Sequence, residues 1–231
     1  MVSMIFETQK KSHSEVAKQT YEVTFTKPEG FVFVAGQYTQ VALPTLLYAD
    51  PKGRSRQFSI ASSPQNVSEI SVVFRDTGSG FKRTLLELPA GSLVQLEQGA
   101  GSFALPLAPG KPIVFVAGGV GISPFLSYFR TVSDQKLTRQ PILLLYGNQN
   151  PESAAFRSEL KAVAKQWSHI HIEELYKRPT PELFKKYTTK WSSATWFVVG
   201  PPGMVATTVH GLELAGLYPQ NIMKESFEGY L

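Results

Sequence analysis

The chain has 231 residues, 42% hydrophobic and 18% charged, with 18 Gly, 16 Pro and no Cys, enough to bury one large or two small cores. That composition excludes a disordered, collagenous or coiled-coil chain, and without a thiol there is no disulfide, Cys-ligated iron–sulfur cluster, Cys-based zinc site or Cys nucleophile. The 23 Lys and Arg against 18 Asp and Glu leave +5, which suits phosphate-bearing ligands or an acidic protein partner; the scattered basic residues argue against nucleic acid.

The N-terminal stretch from Met1 to Lys11 has no basic segment followed by an apolar core. No signal peptide is expected, and a cytoplasmic address is the default. From Tyr21 to Leu107, short runs rich in β-branched and aromatic residues alternate with turn signals: Tyr21 to Thr26, Tyr38 to Leu43, Arg56 to Ala61, Ile70 to Arg75 and Leu93 to Leu96. Apolar and polar residues alternate within several of them, the pattern of antiparallel strands buried on one face and closed into a small barrel or sandwich. One helix interrupts the series at Gly80 to Leu88, where Phe81, Leu85 and Leu88 fall at helical spacing before Pro89-Ala-Gly91 stops it.

After Ala108-Pro-Gly-Lys-Pro112 the texture changes to continuous apolar runs, Ile113 to Ala117, Ile142 to Tyr146 and Trp196 to Val199, with helical segments at 154–166 and 204–217. Strands buried on both faces and alternating with helices imply a parallel sheet with crossovers. The fold class is therefore two-domain, an antiparallel β-barrel over 1–108 followed by an α/β parallel-sheet domain over 109–231. The longest uncharged run, Pro112 to Phe129, is broken by Gly118, Gly119, Gly121 and Pro124, so no membrane span is expected.

Three stretches carry chemistry. Val116 to Phe125 places Gly118, Gly119 and Gly121 where a parallel strand hands over to a helix, with Ser123 just beyond. Such a turn offers a pyrophosphate close backbone approach and unpaired N–H groups at the helix start, although steric tightness alone also calls for glycine. Neither the six-residue dinucleotide spacing nor a Gly-Lys-Ser/Thr follows, which disfavours a Walker-type NTPase. Val198 to Met204, with Gly200, Pro201, Pro202 and Met204, is a second strand-terminal turn, and in an open parallel sheet both turns face the same carboxyl-end crevice. Arg56 to Pro64 puts Arg56, Phe58 and Ile60 on one strand face and Gln57 and Ser59 on the other. That face suits an anionic aromatic ligand as well as it suits an ordinary half-buried strand.

Arg-x-Phe-Ser at 56–59, Gly-Gly-x-Gly-Ile-Ser-Pro at 118–124, Gly-Pro-Pro-x-Met at 200–204 and the terminal Glu225-Ser-Phe-Glu-Gly-Tyr230 occur in this order. Together they resemble the ferredoxin–NADP reductase superfamily, over about Glu15 to Leu231. The resemblance implies a flavin-binding barrel and a nicotinamide-nucleotide domain, with FAD at their interface. It assigns Arg56 to the flavin pyrophosphate, Phe58 to the isoalloxazine or ribityl region and Ser59 to the vicinity of flavin N5. Gln57, Ile60, Ala61 and Ser62 are implied as neighbouring contacts, and Phe58 stands where relatives often have Tyr.

By the same resemblance Phe74 and Arg75 line the adenine side. Gly80, Phe81, Lys82 and Thr84 belong to a helix whose start caps the flavin phosphates; Lys82 occupies a position where many relatives have Ser, and reads equally as a phosphate contact or a solvated lysine. Gly119, Val120, Gly121 and Ser123 are implied for the dinucleotide pyrophosphate. Gly200, Pro201, Pro202 and Met204 are implied beside the nicotinamide, with Val199 replacing the usual Cys. Ser59, Glu225 and Phe227 carry the catalytic assignments, Glu225 and Phe227 as an acid-x-aromatic pair that shields the flavin. Asn148, in the tip Gly147 to Asn150, lies where relatives choose between NADH and NADPH; the tip has no cation and resembles NADH-using cytochrome b5 reductases, while Arg157 and Lys177-Arg178 remain within reach of a 2′-phosphate.

The implied activity is that of a FAD-dependent NAD(P)H:acceptor oxidoreductase, with hydride passing from nicotinamide to flavin N5 and electrons to a separate acceptor: ferredoxin, flavodoxin, an oxygenase component, a haem protein or a ferric chelate. An acidic iron–sulfur or flavin protein suits the charge. The alternative is a FAD-binding electron-transfer subunit or redox sensor active only within a complex. His13, His169, His171 and His210 lie outside the motifs, and no metal site is expected.

Overall fold

A computed structural model describes residues 4–106, 110–135 and 140–227. The chain divides into two compact units, Met1–Leu105 with Ser123–Gln135, and Pro106–Ile122 with Lys136–Leu231. The residues at which the sequence places the domain boundary, 107–109, and those at the C-terminal end of the last motif, 228–231, lie outside the described residues.

In the first unit six strands, β1 (Ile5–Ala17), β2 (Thr20–Thr26), β3 (Tyr38–Ala42), β4 (Ser55–Ser59), β5 (Glu69–Arg75) and β6 (Leu93–Glu97), form an antiparallel sheet in the order β4-β3-β6-β1-β2-β5. Its two outer strands meet at one isolated bridge, Ile60 with Val72, so the sheet curls into a barrel without a continuous closing ladder. Val23, Phe25, Val41, Val72, Leu85 and Leu96 are among the side chains that fill it.

Strand β1 is absent from the sequence expectation because its inward residues are Phe6, Thr8 and Lys10 rather than an apolar series. Lys10 is only 2% exposed. Its Nζ donates to the carbonyls of Leu86 and Leu88, at 2.9 and 2.5 Å. Those carbonyls close helix α1 (Gly80–Glu87), so a buried ammonium meets the negative end of a helix and covers acceptors the helix leaves open. The helix starts at Ser79, whose side chain accepts from the Lys82 N–H, and stops at Leu88, before Pro89.

The second unit is a parallel sheet of β7 (Ile113–Gly118), β8 (Ile142–Gly147), β9 (Ile170–Leu175), β10 (Thr195–Gly200) and β11 (Ile222–Ser226), ordered β11-β10-β7-β8-β9. Strand β7 runs through a 3-10 turn, Gly119–Ile122, into α2 (Ser123–Gln135). Helices α3 (Arg157–Gln166), α4 (Pro181–Lys190) and α5 (Pro202–Leu214) make the other crossovers. Although it follows the boundary expected from the sequence, α2 groups with the barrel. Its Ser127 hydroxyl donates to the Ser62 carbonyl at 2.7 Å, and Arg130 pairs with Glu22 at 2.7 Å. Among the described residues no helix is long and apolar enough to cross a membrane.

Candidate functional site

At the barrel end of the predicted site, β4 leaves Gln57 exposed and buries Ser59. Phe58 is half-buried, its ring 5.4 Å from Phe74 and 6.1 Å from Phe81. The Ser59 hydroxyl is buried and has no hydrogen-bond partner among the described residues. A buried orphan hydroxyl costs free energy unless a ligand or water completes it.

Arg56 Nη1 donates to the carbonyls of Lys52, Gly53 and Ser55, at 2.9, 3.0 and 2.6 Å. Its Nη2 reaches Asp50 Oδ1 at 2.5 Å, and the guanidinium lies 5.2 Å from the Phe81 ring centre. The Asp50 side chain is 2% exposed. It also accepts from the backbone N–H of Lys52 and of Phe81, both at 2.9 Å. Burial pushes its carboxyl up, but the bonds from Phe81, Lys52 and Arg56 outweigh that and hold it below the usual carboxylate range.

The first turn of α1 is therefore occupied from within. Phe81 N–H donates to Asp50, Lys82 N–H to Ser79 Oγ at 3.3 Å, and Arg83 N–H to the Ser79 carbonyl at 3.0 Å. Ile60, Phe74 and Phe81 are core residues, and the buried Thr84 hydroxyl accepts from Leu47 N–H. The Ile60 and Ala61 N–H groups go to Gln37 and Ser71 carbonyls.

Lys82 is half-buried rather than solvated. Its Nζ donates to two neutral oxygens, the Arg75 carbonyl at 2.7 Å and Thr77 Oγ1 at 3.2 Å, and lies 5.8 Å from the Phe74 ring centre. Burial, opposed by Asp76 and Asp50 and aided by Arg56 and Lys52, lowers it from 10.5 to about 8. The folded state then holds fewer protons than the unfolded state between those values, so stability rises as pH climbs from about 8 to about 10.5. Lys82→Met is expected to remove that rise, roughly 1–2 kcal/mol after solvent screening. Parallel melting-temperature profiles of the two proteins would refute the assignment.

In the second unit the strand ends form a glycine-lined edge. Gly118 on β7 is in register with Gly147 on β8. A Cβ on Gly200 would meet Met204 Sδ at 3.0 Å and Gly118 Cα at 3.3 Å. Gly119 has φ +53°, a conformation that disfavours a side chain, with open space where its Cβ would be. Val120 and Gly121 continue the turn, and Ser123, buried, opens α2. Pro201 and Pro202 start α5, where no N–H is lost because the first turn has none to pair.

Val199 is wholly buried. Glu225 on β11 lies in register with it, and burial pushes the Glu225 carboxyl up. Phe227 N–H donates to the Gly200 carbonyl at 3.1 Å. Asn148 N–H donates to the Leu175 carbonyl at 2.9 Å, which joins the β8 tip to the end of β9. There Arg157 is held by Glu174, with Nε to Oε1 and Nη2 to Oε2 both at 2.9 Å. Lys177 and Arg178 are exposed. Among the described residues no cluster of His, Cys, Asp and Glu could hold a metal ion.

Residues 115–210 match the family described as Oxidoreductase NAD-binding domain. The flavohemoprotein of Bacillus subtilis is 29% identical over 91% of this chain and 57% of its own length. The phthalate 4,5-dioxygenase oxygenase reductase subunit of Pseudomonas putida is 31% identical over 64% of this chain and 44% of its own. The solved ferredoxin NADP+ reductase of Neisseria gonorrhoeae, with bound FAD and NADP, superposes with a TM-score of 0.75 at 21% identity, covering 96% of this chain and 98% of that one. Residues 115–210 match an oxidoreductase NAD-binding family, and the chain shares the fold of ferredoxin–NADP reductases. It spans about half the length of the first curated relatives it matches.

Asp50 is a candidate residue that the sequence did not announce. The Asp50-Pro-Lys-Gly53 turn is legible, and the Asp50 carboxylate does accept from the Lys52 N–H. Its second attachment, to a helix start 31 residues away, leaves no mark in the sequence.

Proposed function

We propose that the chain is a FAD-dependent NAD(P)H:acceptor oxidoreductase. The Ser59 hydroxyl carries this reading: it is buried without a partner on the strand that also presents Phe58 and Arg56. The residues fit a flavin nucleotide. An aromatic pair, Phe58 and Phe74, suits a tricyclic ring, and the cations Arg56 and Lys82 suit its phosphates. The glycine edge at 118, 119 and 200 suits a second nucleotide, because backbone without side chains admits close approach.

When bound, FAD supplies the redox chemistry, taking a hydride from the nicotinamide and releasing electrons singly or in pairs. The chain's residues bind, orient and screen. Ser59 offers a hydrogen bond, Phe58 an apolar surface, and Glu225 a carboxyl whose burial pushes it above the usual carboxylate range.

NADH is the favoured donor. A 2′-phosphate needs a cation, and the 147–150 tip has none. The electrons pass on to an iron–sulfur, flavin or haem acceptor, and these 231 residues hold no Cys for a plant-type cluster of their own.

The test is the absorption spectrum of the purified protein, titrated anaerobically with NADH and then NADPH. A flavin band bleached by NADH at lower concentration is expected. A colourless protein that FAD does not reconstitute refutes the reading. Ser59→Ala is expected to slow flavin reduction about tenfold, the worth of one hydrogen bond, with nicotinamide binding changed less; identical stopped-flow traces would reject the role.

A further inference from the structure

Residues 47–50, ahead of β4, are fastened to α1. Leu47 N–H donates to Thr84 Oγ1 at 3.0 Å, the Arg83 guanidinium stacks 3.7 Å from the Tyr48 ring centre, and Tyr48 OH donates to Glu87 at 2.6 Å. A Cβ on Gly80 would stand 2.4 Å from the Ala49 carbonyl oxygen and 2.5 Å from that of Tyr48. Only glycine lets the segment lie this close to the helix start. Asp50 follows at once, its carboxylate between the Arg56 guanidinium and the Phe81 N–H.

We infer that Asp50 is a positioning residue for the phosphate-binding end of the flavin site: its carboxylate locks Arg56 on β4 and the first turn of α1 into one arrangement. The inference rests on the flavin reading above. Both carboxylate oxygens are engaged, Oδ1 by Lys52 and Arg56 and Oδ2 by Phe81. Leaving that seat would strand a buried negative charge, so the carboxylate stays and fixes Nη2 of Arg56. The three loop carbonyls on Nη1 remove the remaining freedom of the guanidinium. A pre-set cation binds phosphate without first losing rotamer entropy.

The test compares FAD with riboflavin, which has no phosphate, by quenching of flavin fluorescence on apo-protein. Asp50→Asn keeps the shape and one acceptor. It is expected to raise the Kd for FAD about tenfold and that for riboflavin less than about twofold. In an Arg56→Met background the same substitution should add less than about twofold, because Asp50 acts through Arg56. Hydrogen exchange should show the Lys52 and Phe81 amides losing protection while Val23 and Leu96 keep theirs.

Equal losses for FAD and riboflavin, an additive effect on Arg56→Met, or loss of protection throughout the barrel would overturn the inference. Unchanged or tighter FAD binding would also overturn it, the latter by showing that the carboxylate competes with the phosphates. If wild-type protein binds neither flavin, the flavin reading itself fails, and that outcome is separate because it appears before any substitution.

Discussion

Arg56→Ala is expected to strip flavin from the protein and to destabilise the barrel by about 3–5 kcal/mol, the usual cost of removing one partner from a buried ion pair. Both effects follow from the double engagement of this side chain. Inward, it satisfies the carbonyls of Lys52, Gly53 and Ser55 and neutralises an Asp50 side chain that is 2% exposed. Without it, Asp50 is left with backbone N–H donors and a charge in a poorly solvated place. Outward, it is a cation at the end assigned to the flavin phosphates. The two losses separate in Arg56→Met with Asp50→Asn, where the stranded charge is gone. That double variant should recover most of the melting temperature and none of the flavin. Flavin occupancy after gel filtration and thermal melting decide the matter, and unchanged occupancy in Arg56→Ala would refute the assignment.

The barrel was legible wherever a strand carried an apolar face. The runs at 21–26, 38–43, 56–61 and 70–75 became β2 to β5 because alternation survives burial on one side. Strand β1 was not, because its inward positions hold Thr8 and Lys10, polar residues whose burial is made tolerable by partners distant in sequence, Thr26 for one and Leu86 and Leu88 for the other. Helix α4 was missed although its start signal is present: Thr180 caps it, Pro181 takes the first position and Glu182 follows. Its apolar face is only one turn deep, with Phe184 and Tyr187 buried, and periodicity over so short a window says little.

The site shows the same division. Motif spacing placed Arg56, the glycine turns and the Gly-Pro-Pro turn on the right element ends, because strand-to-helix junctions write themselves in Gly and Pro. Side-chain pairing is another matter. Arg157 reads as a free cation near the nucleotide tip, yet it is spent on Glu174, 17 residues on and brought alongside by the α3 crossover. The α1 start reads as an open anion seat, yet Asp50 and Ser79 fill it. Charges that sequence leaves unassigned are those that tertiary structure pairs, so carrying a family role onto a residue demands its partner list as well as its motif.

Gly121→Ala should be the most damaging substitution in the second unit. The added methyl would stand 2.3 Å from the Val199 carbonyl oxygen, 2.8 Å from its carbon and 3.0 Å from Gly200 Cα. All three are backbone atoms of β10, which is laddered to β7 on one side, Val199 with Ala117, and to β11 on the other, Val199 with Glu225. The strand cannot retreat without breaking those ladders, so the 119–122 turn must move, at about 1–3 kcal/mol for overpacking of this kind. Gly203→Ala is the matched control: it lies in α5 with nothing within 4 Å of the new methyl, and should be neutral or stabilising by up to about 1 kcal/mol. If the turn presents backbone to a pyridine nucleotide, Gly121→Ala also raises the NADH concentration needed for half-maximal flavin reduction, by more than about tenfold, because misplacement of about 1 Å is costly at such a site. Gly203→Ala leaves it unchanged. A Gly121→Ala protein with wild-type melting temperature and wild-type NADH dependence would mean that the turn yields without cost and that its closeness to β10 serves neither packing nor binding.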